Sequence, residues 1–113
     1  FGRKLVEFAE GLSKRSGFPI ACFGHAGDGN MHVNIMAERY NRDAEVRERA
    51  ERALDELFAQ VLAFGGVITG EHGIGLAKKR WWPQATSDVS REIHRAIKDA
   101  LDPAGILNPG KFL

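Results

Sequence analysis

The chain has 113 residues, of which 43% are hydrophobic and 27% charged, and its 16 basic and 15 acidic side chains nearly cancel. These values are typical of one globular domain and argue against an intrinsically disordered chain. No long block of like charge stands out, so we expect no nucleic-acid binding. No apolar run approaches the roughly 18 residues that a membrane-spanning helix needs.

Hydrophobic side chains recur at helical spacing over residues 1–15, which predicts a first helix that ends at Gly17. Residues 19–25 and residues 31–36 each have the pattern of a strand. The connection between them contains three glycines and two turn-forming residues, a composition that favours a hairpin. The single cysteine, Cys22, lies in the first of these strands. We interpret it as a small buried apolar side chain rather than a nucleophile.

Helical spacing returns over residues 41–64, and Gly65-Gly66 should end this second long helix. Residues 67–69 are short and rich in β-forming side chains, which predicts a third strand. A second glycine-rich connection, residues 70–75, follows that strand and contains a glutamate and a histidine. The two glycine-rich connections are therefore the places where polar side chains could gather.

A last amphipathic helix is predicted after Ser87, whose hydroxyl can cap its first turn, and Asp102-Pro103 should end it. The resulting order, α-β-β-α-β-α-α, indicates an α+β fold with an antiparallel sheet covered by helices on one face. Three strands make a thin sheet, and the chain begins at Phe1 without an initiator methionine. We therefore expect a piece of a longer protein. An exposed edge of this sheet could pair with a second copy, so a homodimer stays open.

Four polar side chains form a candidate active-site cluster. His25 ends the first strand and His32 begins the second, so in a hairpin they should face each other across the ladder. Two histidines and a carboxylate are a known ligand set for a catalytic metal, and Glu71 is the natural third ligand. In an extended backbone His72 would point away from Glu71, although a glycine turn can relax this. His72 could then act as a base near neutral pH.

The basic run, the two tryptophans and His94 each have a structural interpretation that is more common than the functional one. The basic run at residues 78–80 is more often a solvated helix face than a contact to an anionic substrate, a cofactor phosphate or a partner subunit. Trp81-Trp82 fits a core or interface anchor better than a flavin-stacking pair. His94 is interpreted as a surface residue.

Three motifs together resemble those of a known family. Residues 24–32 are similar to the Gly-His-x-Gly-Asp-Gly-Asn-x-His signature of FAD-linked oxidases of the vanillyl-alcohol-oxidase superfamily, which include glycolate, D-lactate and D-2-hydroxyglutarate dehydrogenases. Residues 70–75 resemble their second signature, and residues 107–111 resemble their C-terminal ending. The resemblance implies that residues 1–113 are a fragment of the ferredoxin-like substrate, or cap, domain. Residues 103–113 would be a tail that returns to an N-terminal FAD domain absent from this sequence.

The resemblance also assigns roles to single residues. It implies that His25, His32 and Glu71 are ligands of a divalent metal, usually zinc or manganese, although the same ligand set also accepts iron. It implies that His72 is the catalytic base that takes the proton of the substrate 2-hydroxyl while hydride moves to FAD. The order of the motifs along the chain is that of the family.

Two further residues obtain their roles from the resemblance alone, Asn34 near the substrate carboxylate or the metal and Asn108 near the flavin. The resemblance implies a cytoplasmic enzyme, or one at the inner face of the membrane, that oxidises a small 2-hydroxy acid and works with other subunits, including an iron–sulfur subunit. FAD would be bound mainly by the N-terminal domain, so this chain alone should be inactive. The alternative is a non-catalytic metal-binding or subunit-interaction domain. The sequence leaves open which hydroxy acid, metal and electron acceptor are used.

Overall fold

The computed structural model describes residues 2–25, 29–111 and 113, with residue 25 described by its backbone alone. The chain divides into two compact units, residues 1–66 (unit 1) and residues 67–113 (unit 2). The elements are α1 (Gly2–Ser16), β1 (Ile20–His25), β2 (Asn30–Ile35) and α2 (Ala44–Ala63) in unit 1, and a 3₁₀ turn (Lys79–Trp81), α3 (Trp82–Ala85) and α4 (Asp88–Leu101) in unit 2. The predicted α+β class is confirmed.

Unit 1 is a hairpin whose one face is covered by two helices. Strands β1 and β2 pair antiparallel, and the side chains of Met31, Val33 and Ile35 on β2 pack against a core formed by α1 and α2. Leu12 of α1, at the centre of this core, is fully buried. Alternate residues of a strand point to opposite faces, so the hairpin has one face in the core and one face away from the helices. This is the covered sheet that the sequence predicted.

Both ends of α2 are fixed by local hydrogen bonds. The Asp43 carboxylate accepts from the backbone N–H groups of Glu45 and Val46, at 3.0 and 3.4 Å, and so satisfies two of the donors that a helix start leaves unpaired. At the other end, Gly66 N–H donates to the Val61 carbonyl at 2.9 Å, and the preceding glycine donates to the carbonyl of residue 62 at 3.0 Å. These two bonds form a Schellman motif. The predicted end at Gly65-Gly66 is confirmed.

The predicted third strand at residues 67–69 is wrong. Within the described ranges the sheet contains β1 and β2 alone, and Val67 is 70% exposed. The Ile68 carbonyl accepts from Lys78 Nζ at 2.8 Å instead of a strand partner. A β-rich tripeptide becomes a strand only where another strand edge is available for pairing.

Helix α4 has the predicted start and end but leaves its apolar stripe exposed. The Ser87 hydroxyl accepts from Ser90 N–H at 3.1 Å, and the Asp102 N–H donates to the Lys98 carbonyl at 2.9 Å at the last turn. The exposed apolar side chains of this helix are Val89, Ile93, Ile97 and Leu101, with exposed fractions of 64%, 55%, 56% and 79%. The part of the chain that the structure describes contains no helix long and apolar enough to cross a membrane.

Candidate functional site

The outer face of the hairpin carries two of the predicted site residues. His32 pairs with Phe23 across the ladder, and their rings stack with centroids 5.1 Å apart and planes inclined by 25°. Asn34 lies two positions further along β2, so it shares this face, and it is exposed. Because Val33 between them packs into the core, the two polar side chains are presented on the side of the sheet away from the helices.

The register corrects one expectation about the histidines. The residue opposite His25 is Asn30, and the residue opposite His32 is Phe23. His25 and His32 therefore occupy diagonal positions of the ladder, and the prediction that they lie directly opposite each other is wrong. The turn residues 26–28, including the Gly27-Asp28 pair of the first motif, lie outside the described residues.

Gly24 allows the two strands to approach closely beside these positions. A Cβ on Gly24 would collide with the carbonyl oxygen of Asn30, and it would lie 2.9 Å from the Cα of Met31. Both obstacles are backbone atoms of the facing strand, which cannot move without opening the hairpin. The first glycine of the motif is therefore required by packing, independently of any ligand.

The second motif forms a braced loop that exposes Glu71 and His72. Thr69 Oγ1 accepts from the Gly73 N–H at 2.9 Å and closes the loop. The Glu71 Oε1 and His72 Nε2 atoms lie 3.8 Å apart, with 54% and 72% of the respective side chains exposed. The turn has thus relaxed the opposite orientation that an extended backbone would impose, and the carboxylate and the imidazole lie side by side.

The three basic residues after this loop have three different partners in unit 2. Lys78 reaches into the structure, and burial holds the pKa of its ammonium below the ordinary value. Lys79 Nζ donates to the Gly110 carbonyl at 3.0 Å. The Arg80 guanidinium lies 5.2 Å from the ring centroid of the buried Trp81. The basic run is neither a uniformly solvated face nor an unengaged cluster of cations.

A polar centre that the sequence analysis missed lies at the end of α4. Asp102 is 7% exposed, and its carboxylate accepts from Lys98 Nζ at 2.5 Å, Leu107 N–H at 3.0 Å and Ile106 N–H at 3.1 Å. The Lys98 hydrogen bond first, and then the backbone donors, hold the pKa of Asp102 below its ordinary value, although burial opposes them. The i,i+4 spacing of Lys98 and Asp102 was the available signal.

The tail after this centre places Asn108 in an unusual conformation. Its φ of 45° makes it the one non-glycine residue with positive φ in the described ranges, and asparagine tolerates this region better than most residues. The carbonyl before it, that of Leu107, accepts from Lys98 Nζ at 2.5 Å. The side chain of Asn108 is exposed, and the backbone on both sides of it is held.

The remaining candidates have structural surroundings. Cys22 is half-buried, and burial, with a smaller effect from Glu10, raises the pKa of its thiol, which opposes the thiolate form that a nucleophile needs. His94 is half-buried rather than fully exposed. Its Nδ1 lies 2.7 Å from the Ser90 carbonyl oxygen, and its ring meets Trp82 edge-to-face at 5.2 Å.

The comparisons with known proteins agree with the motifs. The pattern of the family described as "FAD linked oxidases, C-terminal domain" matches residues 3–112. The chain is 37% identical over 108 residues to the glycolate oxidase subunit GlcD of Bacillus subtilis. It is 35% identical over 112 residues to a D-lactate dehydrogenase of Anaerostipes hadrus, and each of these alignments covers 96% of the chain and 23% of the relative.

A third relative widens the range of substrates named in the family. A D-2-hydroxyglutarate dehydrogenase of Stutzerimonas stutzeri is 36% identical over 95 residues, which is 84% of the chain and 20% of that protein. The chain thus spans less than a quarter of the length of the curated relatives it matches. The three names share one reaction class, the oxidation of a 2-hydroxy acid.

Proposed function

Because the chain belongs to the FAD-linked oxidases, through their C-terminal domain, we propose that the full-length protein oxidises a small 2-hydroxy acid to the 2-oxo acid and reduces FAD. The observation that carries this proposal is the contact between Glu71 and His72, 3.8 Å apart on an exposed loop. An oxidation of this kind needs a group that removes the hydroxyl proton while hydride leaves the carbon. An imidazole on a loop that the Thr69–Gly73 hydrogen bond closes can meet that need.

We propose His72 as this base. Its imidazole is exposed and can therefore reach a bound substrate, and a neutral imidazole has a ring nitrogen that can accept a proton. After it accepts the proton, the carboxylate of Glu71 beside it stabilises the imidazolium. The hydrogen bond from Gly73 N–H to Thr69 Oγ1 closes the loop that carries both side chains.

We propose His25, His32 and Glu71 as the ligands of a divalent metal. The chemistry of these side chains fits such an ion, because two imidazoles and one carboxylate suit zinc and also manganese. The stacking of His32 on Phe23 fixes the plane of one of these rings, which lowers the entropy lost when a ligand binds an ion. A bound divalent cation would stabilise negative charge on the substrate oxygen.

Asn34 and Asn108 complete the proposal on the substrate and flavin sides. Asn34 lies on the same strand face as His32, where its amide could donate to a substrate carboxylate. Asn108 belongs to the tail, residues 103–113, that we propose returns to the FAD domain, where FAD supplies the hydride acceptor. Leu107 beside it is 59% exposed, and an exposed leucine fits a segment that another domain covers. Electrons would leave the flavin to a further subunit, with an iron–sulfur protein as the first candidate.

The role of His72 is tested with His72→Asn in the full-length protein. We expect turnover of glycolate, D-lactate and D-2-hydroxyglutarate to fall by at least about a hundredfold, the usual contribution of a general base, with FAD still bound. His94→Asn is the matched control, because His94 contacts Ser90 and Trp82 instead. Full activity in His72→Asn would refute the assignment.

The metal ligands are tested by elemental analysis of the purified full-length protein. His32→Ala and Glu71→Gln should each lower the bound zinc or manganese at least about tenfold, because even the loss of an outer-shell partner costs about 10–100-fold in metal affinity. The control variant His94→Ala should retain it. Unchanged metal content in the ligand variants would exclude this set.

The same preparations separate the proposal from the alternative. A protein that binds metal but contains no flavin and oxidises none of the three acids would instead be a metal-binding or subunit-interaction module.

The contact of Asn108 with flavin is tested with a pair of substitutions. Asn108→Gly retains the positive φ and removes the amide, whereas Asn108→Ala also strains the backbone. If the side chain contacts the flavin, both variants should shift the flavin absorbance bands. A shift in the alanine variant alone would mean that only the backbone conformation matters.

A further inference from the structure

We propose that Lys98 and Asp102 are positioning residues that hold the tail segment 106–110 in one conformation, so that Asn108 meets the flavin in a fixed geometry. This inference rests on the proposed function, since it needs a flavin beside the tail. It assigns no bond-breaking role to either residue. It explains why a short exposed segment after the last helix is so heavily hydrogen-bonded.

The first support is the number of bonds that converge on one carboxylate. Asp102 accepts from the Ile106 and Leu107 N–H groups and from the Lys98 ammonium while only 7% of the residue is exposed. A buried carboxylate is costly unless its oxygens are satisfied, and here three donors satisfy it. The two backbone donors are consecutive residues, so the chain direction immediately before Asn108 is fixed.

The second support is that the backbone is held on both sides of Asn108. Lys98 Nζ, which already donates to Asp102, donates also to the Leu107 carbonyl at 2.5 Å. On the other side, Lys79 Nζ donates to the Gly110 carbonyl at 3.0 Å. The two lysines come from different elements, α4 and the 3₁₀ turn. A segment anchored from two elements cannot rotate as a free tail would.

The third support is the conformation that these bonds maintain. Asn108 has a φ of 45°, which asparagine adopts more readily than most residues but which still costs free energy that the surrounding bonds offset. Such positions are frequent at functional sites. Hydride transfer depends steeply on distance and alignment, so a contact to the flavin must be held within a fraction of an ångström.

The test uses the flavin-loaded full-length protein with Asp102→Asn and Lys98→Met. We expect kcat to fall about tenfold to a hundredfold, the cost of an ångström-scale misplacement. The KM for the hydroxy acid should change less than about twofold, because the substrate contacts are untouched, and the flavin absorbance bands should shift. Asp99→Asn, which removes an exposed carboxylate of the same helix, should leave all three readouts unchanged. Lys98→Arg, which keeps a cationic donor, should recover most of the lost kcat.

Every outcome of this experiment either supports or overturns the proposal. Normal kcat and an unshifted flavin spectrum in Asp102→Asn and Lys98→Met would overturn the proposal, and so would a raised KM at unchanged kcat. If those variants fail to fold, Lys79→Met decides, because it removes only the exposed contact to Gly110. It should lower kcat in the same direction by a smaller factor, and an unchanged kcat would again overturn the inference. If the wild-type protein contains no flavin, the proposed function itself has failed and this inference fails with it.

Discussion

Different forces stabilise the interior of each of the two units of this chain. Unit 1 buries apolar side chains between two helices and a hairpin, with Leu12 fully enclosed and Leu57 only 3% exposed. Unit 2 contains a helix, α4, none of whose residues is buried. Its tail is fastened by charged hydrogen bonds at Asp102 and Lys98. Unit 1 is thus stabilised mainly by hydrophobic burial. In unit 2 Ile68 and Trp81 are buried as well, but α4 and the tail depend on directed polar contacts.

This contrast indicates what each unit contributes to the proposed site. A buried core resists small changes at the surface, so the outer face of the hairpin can carry His32 and Asn34 without losing its shape. A segment held by a few hydrogen bonds is orderly but easily altered, because the loss of one donor leaves a buried carboxylate unsatisfied. The outer face of the hairpin thus rests on a robust scaffold, while the tail segment 106–110 depends on individual bonds.

The largest expected effect is a core truncation in unit 1. Leu12→Ala should lower the free energy of unfolding by about 3 kcal/mol or more, because it leaves a cavity in a closed core. Leu101→Ala in unit 2, at a side chain that is 79% exposed, should change it by no more than about 0.5 kcal/mol. Urea denaturation of the purified chain measures both. Equal losses would contradict the contrast between the units.

The next effect concerns the hairpin. Gly24→Ala should destabilise the chain by about 2 kcal/mol, because its Cβ meets the facing backbone. Gly29 also has a positive φ, 69°, but a Cβ there would lie in open space. Gly29→Ala should therefore lower the free energy of unfolding by only about 1 kcal/mol, the cost of the backbone conformation alone. Thermal melting followed by circular dichroism compares the two. If Gly29→Ala proves the more harmful, close strand approach is not what selects glycine at position 24.

A smaller effect is expected from the two side-chain N-caps described above, Asp43 in unit 1 and Ser87 in unit 2. Asp43→Ala and Ser87→Ala should each cost about 1 kcal/mol by removing an N-cap acceptor. Both tryptophans, Trp81 and Trp82, lie in unit 2. The tryptophan fluorescence transition should therefore move further in Ser87→Ala than in Asp43→Ala. The reverse order would mean that the fluorescence does not report on unit 2.

The last prediction concerns the stability of the fold at acid pH. Because the folded-state pKa of Asp102 is lowered, its carboxylate stabilises the fold above the unfolded value of about 4. That contribution is lost as the pH falls through the lower folded-state value. The melting temperature should therefore fall more steeply below about pH 4 in the wild type than in Asp102→Asn. Asp99→Asn should retain the wild-type slope, and a wild-type slope in Asp102→Asn as well would refute the assignment.

Signals that act within a few residues were predicted correctly. Ser87 caps α4, and Gly65-Gly66 end α2, because each needs only backbone groups of the same helix end. The pairing of residues 20–25 with residues 30–35 followed from two strand patterns around a glycine-rich connection. The family and the 2-hydroxy acid chemistry named for its members followed from motifs whose residues are contiguous in sequence.

Features that depend on distant partners were not predictable in the same way. Residues 67–69 have strand composition, but composition does not reveal whether a strand edge is free to pair with them. The diagonal placement of His25 and His32 depends on the register of the two strands, which the turn sets. A shift of the register by two residues leaves each side chain on the same face of the sheet but gives it a different partner on the facing strand. The bonds from Asp102 to the tail require a chain reversal that no periodicity records.

The apolar stripe of α4 has a consequence for the handling of the isolated chain. Four large aliphatic side chains at helical spacing, each more than half exposed, form a surface that water disfavours. Salts such as ammonium sulfate make the exposure of this apolar surface to water more unfavourable, whereas low concentrations of urea make it less unfavourable. The chain should therefore precipitate at lower sulfate concentrations than its nearly balanced charge alone would suggest. Chromatography on a hydrophobic resin would be an effective first step in its purification.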